Sequence, residues 1–235
     1  MKTTKIDWCD STINPVIGCK KGCPYCYAER LNKRFGFIPY WREPQFFPER
    51  LKQLNTNIPK TIFMDSMSDV GWWEPEWGYE VFKAMSRNKQ HAYIFLTKKQ
   101  KYPSGFHQIW SLRDMEYPRS RRDRQYIYIG HSVTRQSECE LEAYWDFLSV
   151  EPILEPINLS ALKHHLYIQA VIIGAETGNR KDKVIPKKEW IDDIVKCCDE
   201  ANVKVFMKKS LRELMGKDFR QDKLPWYEHT ERVSI

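Results

Sequence analysis

A chain of 235 residues, 42% of them hydrophobic, is long enough to bury a core, and β/α barrels of this size usually form one domain. No run approaches the roughly 18 apolar residues of a membrane helix, and Met1-Lys2-Thr3-Thr4-Lys5-Ile6-Asp7 has no apolar signal region, so the expectation is a cytoplasmic protein without membrane association. The net charge of +7 is modest but positive, which attracts polyanions, and seven cysteines, three of them clustered, argue for a metal site in a reducing compartment and against a disulfide framework.

In chain order, Ile13-Asn14-Pro15-Val16-Ile17 is expected to form a short first strand that feeds a cysteine loop, Gly18-Cys19-Lys20-Lys21-Gly22-Cys23-Pro24-Tyr25-Cys26. Tyr27 to Phe35 reads as a helix that stops near Gly36. Residues 38–60 are rich in proline and aromatics, with one short helix expected at Pro48 to Leu54.

From there a pattern recurs in kind. Short apolar runs at 61–64, 92–96, 126–130, 147–150, 170–174 and 203–207 each end in polar residues. Helical stretches fall between some of them, at Glu76 to Arg87 and at Lys187 to Ala201. In the second, Trp190, Ile191, Ile194, Val195 and Cys198 share a face. Strands alternating with helices imply a parallel sheet. Six or seven such units make the expected fold an α/β partial (β/α)6-type TIM-like barrel. It would be a single domain over 1–235, with 212–235 as a C-terminal extension. In such barrels the chemistry sits at the carboxyl ends of the strands, so the polar tails are expected to share one site with the cysteine loop.

The spacing C-x3-C-x2-C puts three soft ligands within eight residues, which suits zinc or an iron–sulfur cluster. Structural zinc usually takes four protein ligands. A [4Fe–4S] cluster normally takes four thiolates, so three would leave one iron open. Cys9 is the candidate fourth ligand of a zinc site, or simply a buried residue, and Cys139, Cys197 and Cys198 read as packing.

This loop resembles the cluster loop of the radical S-adenosylmethionine (SAM) superfamily. The resemblance extends to Trp8-x-Asp10-x3-Asn14-Pro15, Ser66-Met67-Ser68-Asp69, Leu96-Thr97-Lys98, Gly130-x-Ser132, Leu148 to Leu154, Gly174-x-Glu176-x-Gly178 and Phe206-x-Lys208. Over residues 5–211 the chain is similar to a bacteriophage-encoded radical-SAM-like family of unknown substrate. The Gly-Gly-Glu tail of the wider superfamily is absent, and Ser66-Met67-Ser68-Asp69 stands in its place.

The resemblance implies that Cys19, Cys23 and Cys26 hold a [4Fe–4S] cluster whose fourth iron binds SAM. A reduced cluster would cleave the sulfonium, and the resulting 5′-deoxyadenosyl radical would abstract hydrogen from a substrate. It implies a reducing partner such as flavodoxin or ferredoxin. It also places the cofactor-binding residues at Ser66, Ser68, Asp69, Thr97, Lys98, Ser132, Gly174 and Glu176, and the catalytic residues at Glu151 and Lys208.

Each position has a plainer alternative. Ser66, Ser68 and Asp69 offer acceptors to an ammonium, or cap a turn. Thr97 and Lys98 meet a carboxylate, or form a rim ion pair. Ser132 suits a ribose hydroxyl. Glu176 lies between glycines that permit close ligand approach. Glu151 follows an apolar strand, where a carboxylate needs a partner. Pairing with Lys98 or Lys208 would be structural; holding a substrate or adenine would be functional.

Basic runs at Arg113 to Arg124 and Lys181 to Lys188 either attract nucleic acid or form solvated loops, and Trp72-Trp73-x3-Trp77 reads as a lid, an interface or a base-stacking site. His164-His165 reads as surface. A nucleic-acid base, or a modified nucleotide of phage DNA, leads as the expected substrate class. The rivals are a zinc-stabilised nucleic-acid-binding module and a non-catalytic iron–sulfur partner protein. Oligomeric state is not legible.

Overall fold

A computed structural model describes residues 4–99, 126–139, 141 and 145–233. The basic run Arg113 to Arg124 lies outside them. The fold is mixed α/β. Seven short strands form one sheet in the order β1 (Ser11–Thr12), β4 (Thr61–Phe63), β5 (Ala92–Thr97), β6 (Ile127–Val133), β7 (Phe147–Val150), β8 (Ala170–Ile173) and β9 (Lys204–Met207). A separate ribbon pairs β2 (Val16–Ile17) antiparallel with β3 (Gln45–Phe46). The chain divides into two compact units, residues 1–128 with 226–235, and residues 129–225. The sequence expectation was one domain.

In the first unit β1 pairs parallel with β4, Ser11 opposite Ile62, and β4 with β5, Thr61 opposite Ala92. Ile62, Phe63 and Ala92 to Phe95 are all buried. Such continuous apolar runs mark strands covered on both faces. The expected strand over Ile13 to Ile17 is corrected. Ile13 and Val16 are both buried, but Asn14-Pro15 splits the run, because proline cannot donate to a ladder. The ladder with β4 uses Ser11 and Thr12 instead.

Helix α1 (Tyr27–Phe35) ends at Gly36, whose left-handed backbone (φ 64°) donates its N–H to Asn32 O at 2.8 Å. Helix α2 (Pro75–Ser86) begins with proline, which lacks the N–H that a first turn leaves unpaired anyway. The Trp72-Trp73-x3-Trp77 cluster is not a free-standing lid. Trp73 is buried edge-on to Phe95 and donates Nε1–H to Ser68 Oγ at 3.0 Å, and Trp77 stacks on Phe46.

In the second unit β6–β7, β7–β8 and β8–β9 are parallel, with Ser132 opposite Ser149 and Ile173 opposite Met207. Helix α3 (Lys188–Glu200) buries Ile191, Ile194 and Cys198 at helical spacing and leaves Trp190 and Val195 at the margin. Lys188 pairs with Asp192 and Asp218. A short helix, α4 (Arg212–Met215), follows β9.

The C-terminal stretch belongs to the fold on both counts. Residues 220–222 line β9: Met207 N–H donates to Arg220 O and Asp222 N–H to Val205 O, each at 2.8 Å. An outer strand covered in this way offers no open edge for pairing. Helix α5 (Pro225–Arg232) returns to the first unit. There the fully buried Trp226 donates Nε1–H to Trp8 O at 2.8 Å and meets the Tyr128 ring edge-on.

Trp226→Ala should therefore cost about 3–5 kcal/mol, read as a fall in the urea midpoint. Asp222 supplies a pH-dependent contribution. Burial alone pushes its carboxyl up, but the Arg220 guanidinium and the Val205 N–H outweigh burial and hold it below the usual carboxylate range. A depressed folded-state pKa gives stability that is present above the unfolded carboxylate pKa and is lost as pH falls through the folded one. Asp222→Asn should be about 1 kcal/mol less stable than wild type at pH 7, with the difference closing in acid when the two are unfolded side by side across pH.

Candidate functional site

The cysteine loop is fixed by its backbone before any thiol is considered. Gly18 has φ 106°, a conformation that L side chains rarely adopt, and its N–H donates to Met67 O at 3.0 Å. Cys19 N–H donates to Trp41 O at 2.9 Å. A methyl group on Gly18 would come within 2.9 Å of Pro44 Cα, Ile38 Cδ1 and Trp41 O. The loop thus threads between the β4 tail and the 38–44 segment, a passage that only glycine fits.

The loop is also pinned to two strand tails. Tyr27 donates its hydroxyl to Ser66 O at 2.6 Å, and Lys21 Nζ donates to Lys98 O at 3.4 Å. Lys98 Nζ sits 5.6 Å from the Tyr25 ring centre. Cys19, Cys23 and Cys26 are all half-buried and reduced. Cys19 and Cys26 pack against Ile17, Ala28, Ile38, Trp41 and Met67. Cys26 is the N-cap of α1, its Sγ accepting Glu29 N–H at 3.4 Å, and Cys19 Sγ accepts Lys21 N–H at 3.4 Å.

Burial pushes the Cys19 thiol up to about 12, with the Asp69 charge adding to it. Burial likewise raises Cys26, against the pull of the Glu29 N–H. Among the described residues, no group of three or more His, Cys, Asp or Glu side chains is drawn together closely enough to hold a metal ion. As a donor set, three thiols on one loop suit a soft metal in number and kind, and ligation would require them to turn toward a common centre.

Beneath the loop lies a knot of carboxylates. Asp69 Oδ1 accepts Gly71 N–H at 2.9 Å and the Thr97 hydroxyl at 2.7 Å, and Oδ2 accepts Lys98 N–H at 2.9 Å. Thr97 Oγ1 in turn accepts Lys99 N–H at 3.0 Å. Asp65 is buried and accepts Val70 N–H and Leu96 N–H. Burial, and then the Asp69 charge, push its carboxyl well above the usual range. Each of the expected ligand residues also has a partner within the fold: Ser66 Oγ donates to Asn14 Oδ1 at 3.0 Å, Ser68 Oγ accepts from Trp73 Nε1–H, and Asp69 caps the turn at Val70–Trp72.

Two residues outside the expected cofactor-binding set hold these tails in place. Asp65, just after β4, accepts Leu96 N–H within β5. Asn14 binds both Ser66 Oγ and Met67 N–H, while Arg50 holds Asn14 O at 2.9 Å. Asn14 was visible as the residue before Pro15, a position where a side chain often bonds nearby backbone.

The second unit holds the other candidates. Glu151, directly after β7, forms an ion pair with Lys208, directly after β9. The pair spans the end of β8, where Gly174 leaves room: a methyl group there would lie 3.1 Å from Lys208 Cδ and 3.2 Å from Glu151 Cγ. This is the structural partner that the sequence offered for Glu151. Glu176 is buried and held by both ends of the Arg180 guanidinium, at 2.7 and 2.8 Å, a bond the sequence reading did not anticipate. Ser132 lies inside β6, one residue before its end, and is buried. The structure thus gathers Cys19, Cys23, Cys26, Ser66, Ser68, Asp69, Thr97 and Lys98 in the first unit, and Glu151, Gly174 and Lys208 in the second.

A comparison with family profiles matches residues 3–221 to one described as "Protein of unknown function (DUF5131)". No curated protein matches the chain. Gly18→Ala should lower stability by at least about 2 kcal/mol, from backbone strain plus overlap with Pro44, seen as an earlier urea transition. An unchanged midpoint would mean that the cysteine loop does not take this path.

Proposed function

The chain belongs to the DUF5131 family, and we propose that it is a radical SAM enzyme whose [4Fe–4S] cluster is held by Cys19, Cys23 and Cys26. One observation carries the reading. The three-cysteine loop is stitched through Gly18, Lys21 and Tyr27 to the residues that follow β4 and β5, the carboxyl ends of parallel strands, where α/β folds place their ligands. Three thiols leave one metal position for a ligand that is not protein. When bound, the cluster would supply the electron that cleaves the sulfonium of SAM.

The chain's own residues have definite tasks in this reading. The half-buried loop limits water at the metal. Thiols raised by burial must release protons on loading, so the cluster is gained and lost with pH. Asp69 takes three donors and, as a carboxylate with about four acceptor sites, retains capacity for the ammonium of SAM, with Ser66 and Ser68 beside it in the β4 tail. Thr97 and Lys98, in the same unit as the cysteine loop, are assigned to the carboxylate end. Glu151 and Lys208 neutralise one another, as do Glu176 and Arg180, so a substrate polar group would have to displace a pair before either took part in proton transfer. The reading carries with it a reduced, intracellular setting and a small electron-transfer partner. No helix among the described residues is long and apolar enough to cross a membrane.

Anaerobically purified wild type should contain about four iron and four sulfide per chain and release 5′-deoxyadenosine from SAM with dithionite. Cys23→Ala should lose both the cluster absorbance and the cleavage. A colourless protein with one zinc, a brown protein without cleavage, or cleavage retained in Cys23→Ala would each overturn the proposal.

A further inference from the structure

Helix α1 leaves the cysteine loop at Tyr27 and carries exposed cations that lead into a run of exposed rings at and just beyond its end. Tyr27, Arg30 and Arg34 fall at i, i+3 and i+7, within one side of the helix. Phe35 and Phe37 follow, 57% and 45% exposed, with ring centres 5.8 Å apart. The Arg34 guanidinium lies 5.0 Å over the Phe35 ring, and Tyr40, 67% exposed, comes next. Exposed large aromatics so close together need an explanation, since isolated ones are common but clusters mark interaction surfaces.

The charge around them is one-sided. Residues 20–43 hold six Lys or Arg against two Glu. One of the two, Glu29, is already neutralised by Lys33 and Arg42. We propose that this row binds single-stranded nucleic acid, its phosphates following Arg30 and Arg34 and its bases stacking on Phe35, Phe37 and Tyr40. Exposed rings beside cations are the arrangement that single strands use.

An anionic membrane fits less well. An interfacial helix must offer an apolar face, and here Ala28 is buried and Leu31 packs inward against the core, so the helix turns no aliphatic face outward. In the Trp72-Trp73-x3-Trp77 motif, which the sequence suggests for stacking, Trp73 is buried and Trp77 already stacks on Phe46. The inference rests on the preceding reading only for what happens to a bound strand, because the row begins one residue after Cys26. Binding itself needs no cluster.

The test is fluorescence anisotropy of the full chain with a labelled mixed-sequence 20-nucleotide single strand, run without SAM or reductant. The expected result is saturable binding that weakens steeply with salt. Phe35→Ala/Phe37→Ala should weaken it at least about tenfold, and Tyr79→Ala, an exposed ring elsewhere, should leave it unchanged. Both variants replace exposed side chains, and matching thermal melts would confirm that each is folded. Absence of binding at low salt, equal losses in both variants, no loss in the double variant, or binding to phosphatidylglycerol vesicles but not to the strand would each overturn the inference. None of these outcomes bears on SAM cleavage.

Discussion

The candidate site of the first unit depends on a buried carboxylate that ties two strand tails together. Asp69 gathers the Thr97 hydroxyl, the Lys98 N–H and the Gly71 N–H, so the chain leaving β4 and the chain leaving β5 cannot part without stranding polar groups away from water. Each such group costs about 1–3 kcal/mol when left unsatisfied. Asp65 repeats the device one turn earlier, bonding Val70 and Leu96. Two carboxylates in electrostatic reach and out of water cannot both ionise cheaply, and Asp65, the fully enclosed one, is the member pushed toward its neutral form. The arrangement fixes the floor on which the cysteine loop lies.

The loop then borrows its order from that floor and from α1. Gly18 bonds Met67, Tyr27 bonds Ser66, and Lys21 bonds Lys98. Each bond ends on a residue beside the knot. Cys26 is at once a candidate ligand and the cap of α1. Position and chemistry are therefore coupled: where the helix starts determines where the third thiol stands.

Much of this was legible in the sequence, where local rules decide the outcome. The limits of α1 follow from Gly36, those of α2 from Pro75, and the strands from short β-branched runs. Legibility failed where the deciding contact is long-range. Ile13, Val16 and Ile17 are all buried, so apolarity could not show that only Val16–Ile17 pairs, in the ribbon with β3. The Glu151–Lys208 pair requires β8 to lie between β7 and β9 and Gly174 to lack a side chain, and no window of sequence contains all three. Glu176 and Arg180 are four residues apart, a spacing that predicts contact only in a helix. Their stretch is not helical; Gly178, at φ 93°, turns the chain within it.

The state of the thiols also narrows the chemistry of the loop. A cysteine that acts as nucleophile or redox sensor needs a lowered pKa, from a helix N-terminus or a nearby cation. Cys26 has the helix N-terminus, yet burial prevails and its thiol is raised. Cys19 has Asp69 near it and is raised further, to about 12. Free thiolates are thus disfavoured at Cys19 and Cys26, and a buried negative charge persists only when something positive compensates it. Neither Asp69 nor the other two cysteines can provide that compensation. A bound cationic metal can, because it turns the same burial from a penalty on the thiolate into exclusion of competing water. At Cys19 and Cys26 burial therefore acts against the lowered pKa that a reactive cysteine needs.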